Sequence, residues 1–180
     1  MAERPLAHGP EETRDGHTSY VTGYIDFYKF TNNKNARWSL GREAWDLNGK
    51  KWRYVQFDVA VTLTSDETCK FVCLKDATDD WLVTDDVSAN LAGDHPVGLV
   101  FGAPTAKQYG WVQYGGPTDT LSIPKEGAAI TVGAHLINGD TTSGSIELTT
   151  DAYHYATARA AAAATDTHYE GRLYLENMDY

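Results

Sequence analysis

An all-β protein, a small barrel or sandwich carrying an extended N-terminal arm, is the architecture written into this chain of 180 residues. Short apolar runs such as Val97–Phe101 and Tyr109–Tyr114 are cut about every ten residues by breakers such as Gly115-Gly116-Pro117, which is how strands separated by tight turns are spelled. Apolar residues almost nowhere recur with a helical period. Gly98, Gly102 and Gly110 stand inside runs that otherwise favour strand. A missing side chain weakens a strand unless a bend or another backbone's close approach needs the room, as in a sharply curved barrel.

Taken in order, residues 1–19 are polar and contain Pro and Gly without periodicity, a composition that cannot bury enough surface to fold alone. They are expected to form an arm tied down by another chain. Residues 20–57 hold ten of the 21 aromatic residues. Such rings either build a core or anchor an interface, and here they are interspersed with Arg37, Arg42, Lys50, Lys51 and Arg53, the mixture typical of binding hot spots.

From Tyr54 to Thr64 the alternation is unbroken, with Val55, Phe57, Val59, Val61 and Leu63 on one side, and a strand is expected over that whole length. Lys70–Lys75 and Trp81–Thr84 flank the acidic turn Asp76–Asp80 and read as a hairpin. At least four strands are expected between His95 and Ile137. Asn138-Gly139-Asp140 signals another hairpin, leading into Ser145–Thr149 with Ile146 and Leu148 facing inward. The alanine-rich segment between Tyr153 and Thr165 is helical by propensity alone. Leu173 and Leu175, alternating with Arg172, Tyr174 and Glu176, make the final strand.

With 42% hydrophobic residues the chain can support one sizeable core. It divides into residues 1–53, an arm with an aromatic-rich binding segment, and residues 54–180, the β domain. Met1–His17 contains no apolar stretch of a secretory signal, and no run of about 18 apolar residues occurs, so neither export nor a membrane span is expected. The expectation is a protein made and folded in a cytoplasm.

Cys69 and Cys73, on one strand, would lie ~13 Å apart, beyond the ~7 Å that a disulfide tolerates. Two buried free thiols are expected, with no zinc site. The net charge of −10 argues against nucleic acid as a partner. The charge is also uneven: residues 1–53 contain nine of the 15 Lys/Arg and seven of the 25 Asp/Glu, so the leading third is basic and the remainder strongly acidic.

The segment Pro96-Val97-Gly98-Leu99-Val100, a turn of small residues, Gln108-Tyr109-Gly110-Trp111-Val112-Gln113 with Gly115-Gly116 behind it, and Val132-Gly133-Ala134-His135-Leu136 resembles a pattern of capsid decoration (cement) proteins of tailed bacteriophages. Ala158-Arg159-Ala160 and Gly171–Leu175 resemble its closing strands, so the likeness covers roughly the second half of the chain. The resemblance implies a β-barrel or sandwich, β-tulip-like, with a strand of small side chains within 153–165. It implies a virion structural protein on the outer surface of the head, without cofactor or catalysis, whose partners are the major capsid protein and further copies of itself in a closed oligomer, a trimer. The first 57 residues have no counterpart in that pattern; their own aromatic and basic chemistry makes Arg4, Arg14, Tyr20, Tyr24, Phe27, Tyr28, Arg37 and Trp38 the candidate partner-binding residues.

A second reading is a carbohydrate-binding module of a phage fibre, with Trp81, Trp111 and Tyr114 as stacking platforms and Trp111 alternatively a core ring. Catalytic constellations are weak. Ser122-Ile123-Pro124-Lys125 has a Ser-x-x-Lys spacing that needs a helix, which Pro124 forbids. The six histidines are scattered without a metal-binding spacing. Asp151 and His154 pair with Ser143 or Ser145 only on paper. No two carboxylates stand out as a glycosidase pair. Asp76–Asp80 with Asp85-Asp86 is a solvated acidic turn whose spacing is not that of a calcium loop.

Overall fold

A computed structural model describes residues 10–12, 18–20, 25–32, 38–75, 81–86, 96–148, 158–164 and 167–176, the first two of these stretches as backbone alone. No helix occurs among them. The strands in the first half are β1 (Pro10–Glu12), β2 (Thr18–Tyr20), β3 (Glu43–Trp45), β4 (Lys51–Phe57), β5 (Lys70–Leu74) and β6 (Leu82–Thr84). The second half adds β7 (Pro96–Val100), β8 (Tyr109–Pro117), β9 (Leu121–Pro124), β10 (His135–Asn138), β11 (Ile146–Leu148), β12 (Ala158–Ala160), β13 (His168–Gly171) and β14 (Leu173–Leu175).

Five strands close on themselves as a barrel: β4 pairs with β8, β8 with β7, β7 with β5, β5 with β6, and β6 returns to β4 in parallel. Beyond β8 the sheet runs on through β14, β12, β10 and β11, while β3 lies outside β4. β9 and β13 form a separate pair, as do β1 and β2. In its described part the arm is therefore a small hairpin, Pro10–Glu12 against Thr18–Tyr20.

The barrel interior is filled by Val55, Phe57, Val61, Val72, Val83, Val97, Val100 and Val112. Each such side chain contributes on the order of 1.5–3 kcal/mol by leaving water. The same strands are covered outside as well. Phe71 and Leu99 face a second core with Ile123, Leu136, Tyr169 and Leu173; Trp52, Tyr54 and Trp111 face a third with Ile25, Phe27 and Ala44. All five residues of β7 are buried, which is why it reads as a continuous apolar run.

The glycines answer the need for room. A Cβ on Gly98 would lie 2.5 Å from the Gln113 carbonyl oxygen, so β7 and β8 approach as closely as they do only without one. A Cβ on Gly110 would lie 2.4 Å from the ring of Phe30, which packs edge-on against Phe57.

Two expectations are corrected. β4 starts at Lys51 and ends at Phe57 instead of running from Tyr54 to Thr64. Val61 is still buried, but its N–H bonds to the Pro104 carbonyl oxygen; alternation reports which side chains face inward, not whether the backbone is laddered. Gly115-Gly116-Pro117 does not end β8, because the register shift against β4 at Lys51/Trp52 accommodates it within the strand. The boundary between residues 53 and 54 falls inside β4, and Ile25, Phe27, Ala44 and Trp52 belong to the body's own core. Within 153–165, Ala158–Ala160 is a strand, its two alanines buried and Arg159 exposed.

Candidate functional site

The aromatic segment separates into rings spent inside and rings left outside. Phe27 stacks on Trp52 with centroids 4.6 Å apart and planes 13° apart, and meets Trp111 edge-on at 5.5 Å. With 4% of its surface exposed it is a core ring of this chain. Its neighbour is oriented oppositely. The Tyr28 N–H donates to Asp26 Oδ1 at 3.2 Å, a turn that leaves the Tyr28 ring 52% exposed, edge-on to Trp52 and Phe101. Partial burial, then the charges of Asp119, Asp46 and Asp26, push its phenol above the usual value.

Trp38 is half-buried against Trp111, with the Arg42 guanidinium 4.3 Å above its ring. Tyr20 ends β2, its side chain outside the description. Arg4, Arg14, Tyr24 and Arg37 lie outside the described residues.

Trp45 and Leu47, 36% and 68% exposed, are the other large apolar side chains of this third that are exposed among the described residues. Trp45 does not share a face with Tyr28: Ala44 and Trp52 pair on the side that Tyr28 covers, so Trp45 points to the other side of the β3–β4 hairpin. Leu47 was missed by sequence reasoning although a signal was available. It sits in the turn Asp46-Leu47-Asn48-Gly49, where a leucine has no conformational reason to be.

Of the five basic residues described in the leading third, Lys50 and Arg53 are internal, while Lys29, Arg42 and Lys51 are not buried. Arg53 is 3% exposed, held between the rings of Trp81 and Tyr114 at 4.4 and 4.1 Å and paired with Glu43 at 2.6 Å. Lys50 is buried with its Nζ 2.6 Å from Asp119. Charge counted along the chain is thus not charge presented to a partner.

The rings considered for sugar stacking are not platforms. Trp111 and Tyr114 are 3% and 2% exposed, and Trp81 lies against Arg53.

The catalytic readings find little to build on. Ser122 and Lys125 lie on and just after β9, a strand. Ser145 Oγ donates to Glu126 Oε1 at 2.6 Å. Asp151 and His154 fall outside the described residues, as does Asp76–Asp80. Cys69 and Cys73 are free and buried, and burial pushes each thiol up to about 12, so neither is a nucleophile at neutral pH.

Among the described residues, Glu126, Asp140 and Glu147 bring carboxylate oxygens within 4.8 Å of one another. That chemistry suits a hard cation, but Glu126 is already engaged by Thr141 and Ser145. Burial, then Asp140, then Glu126 raises the Glu147 carboxyl above its usual range.

Compared with known families, characterised proteins and solved structures, the chain matches none of them. Its function therefore has to be argued from the residues themselves.

Proposed function

We propose that this chain is a virion structural protein that decorates the outside of a tailed-phage head and stabilises it by bridging neighbouring copies of the major capsid protein. The observation that carries the reading is Tyr109-Gly110-Trp111-Val112-Gln113, the segment that resembles decoration proteins, which here forms the greater part of β8. β8 joins β4 and β7 of the barrel to β14 beyond it, the segment itself pairing with β4 and β7 and the following Gly116-Pro117 with β14.

The polar arm supports the same reading. In this proposal residues 1–24 lie across the junction between shell subunits. Among the described residues, Tyr28 is the most exposed ring that the leading third offers to the shell. The acidic barrel projects outward, several copies closing around a three-fold axis of the lattice. Arm and body act as linked modules, and linkage raises avidity ~100-fold or more where geometry lets both engage. Bridged subunits then resist the outward pressure of packaged DNA.

The test is binding to expanded heads of the encoding phage, prepared without this protein. The full chain is expected to bind tightly, and a variant lacking residues 1–24 to bind at least ~100-fold more weakly. Absence of binding by the full chain, or equal binding by the truncated one, overturns the proposal.

A further inference from the structure

A row of side chains crosses the outer face of the extended sheet, away from the aromatic segment. Register places Pro117 of β8 opposite Tyr174 of β14, Tyr174 opposite Arg159 of β12, and Arg159 opposite His135 of β10. Their chain neighbours Leu173, Leu175, Ala158, Ala160 and Leu136 are all buried, so strand alternation directs Tyr174, Arg159 and His135 together to the outer face. Four strands at ~4.8 Å make the row ~14 Å long.

Tyr174 is 55% exposed. Beside it, Arg159 Nε donates to Glu176 Oε1, a diagonal pair between β12 and the residue that follows β14, whose side chains are 53% and 39% exposed. The pair holds a planar donor and a planar acceptor next to the ring, and the two charges cancel.

We propose that this row is a carbohydrate site, binding a neutral hexose oligosaccharide whose ring stacks on Tyr174 and whose hydroxyls bond to Arg159 and Glu176. A phenol ring presents an apolar face to the C–H face of a sugar and can hydrogen-bond at its edge. Ligand hydroxyls both donate and accept, which is what a guanidinium beside a carboxylate satisfies. Because the charges cancel, the row recruits neither an anion nor a cation. Because the groups stand on paired strands, little ordering cost remains at binding.

A protein partner fits this face less well. Tyr174 is the single large apolar side chain strongly exposed on it among the described residues, whereas stable protein interfaces bury over ~1,000 Å² around a clustered apolar centre. The site stands independently of head binding.

The experiment is an array of neutral gluco-, manno- and galacto-oligosaccharides probed with the full chain, followed by titration of the strongest hit. Binding is expected, weakened about tenfold by Tyr174→Ala, the loss of one stacked ring. Tyr174→Phe is expected to retain it and Arg159→Met to lower it without removing the ring. Both positions are exposed, so melting temperature should change little, and head binding should not change. Failure of every neutral oligosaccharide to bind, or binding indifferent to both Tyr174→Ala and Arg159→Met, overturns the proposal. So does a wild-type dimer that Tyr174→Ala dissociates, since a second copy would then occupy the face.

Discussion

Phe27 and Tyr28 sit side by side in the chain, 4% and 52% exposed, and they carry different loads. Phe27→Ala removes a ring stacked on Trp52 and is expected to cost ~3–5 kcal/mol in denaturant unfolding. Tyr28→Ala should cost ~1 kcal/mol or less and show its effect in head binding. Two carboxylates differ in the same way. Lys107 and Lys75 hold Asp58 below the usual carboxylate range. Its contribution is therefore present above the unfolded value of 3.8 and lost as pH falls below it. Glu147 is raised instead, so its charged form opposes folding, and the penalty disappears as pH falls through its folded value. Asp58→Asn should lower the melting temperature at pH 7 and Glu147→Gln should raise it, and both effects should shrink in acid. A Glu147→Gln protein less stable than wild type at pH 7 would contradict the repulsion assigned to Asp140 and Glu126.

At the level of elements, the placement of β3 and β4 decides where the chain can be cut. Residues 25–53 supply Ile25, Phe27, Ala44 and Trp52 to a core shared with Tyr54 and Trp111. A 25–180 fragment is expected to keep a strand-type far-UV spectrum and melt cooperatively. A 54–180 fragment, lacking β3 and the first three residues of β4, is expected not to fold. β7 and β8 allow a sharper test: Gly98→Val sets a side chain against the Gln113 carbonyl oxygen and should cost ~1–3 kcal/mol or more. Much of this was legible in the sequence where a side-chain period of two has one buried face, as in β14, and where a turn signal separates two apolar runs, as in the hairpin of β5 with β6. The glycines were legible too, because a strand tolerates them only where something needs their space. What could not be read is pairing at a distance. Nothing local says that β6 joins β4 in parallel, or that Lys50 finds Asp119 69 residues away. The candidate partner surface suffered most from this, because whether Phe27, Lys50 or Arg53 faces solvent depends on elements far along the chain.

Across the whole molecule, three cores share a small set of strands. β4 sends Val55 and Phe57 into the barrel and Trp52 and Tyr54 into the core beneath the aromatic segment. β5 sends Val72 one way and Phe71 the other. A strand buried on both faces cannot lose one core and leave the other standing, because the backbone positions that hold both are the same. Unfolding of the body should therefore be a single transition. Two probes weigh the cores differently: Trp38, Trp52 and Trp111, three of the five tryptophans, report by fluorescence on the core beneath the aromatic segment, with Trp81 against the barrel, while far-UV circular dichroism reports on the barrel and its extension. The two denaturant curves are expected to coincide, and to move together in Phe27→Ala. A fluorescence transition that precedes loss of sheet would mean that the aromatic layer is a separable cover and not part of the cooperative unit. In that event the leading third could detach from the barrel while the barrel stayed folded, and Phe27 would become available to a partner after all.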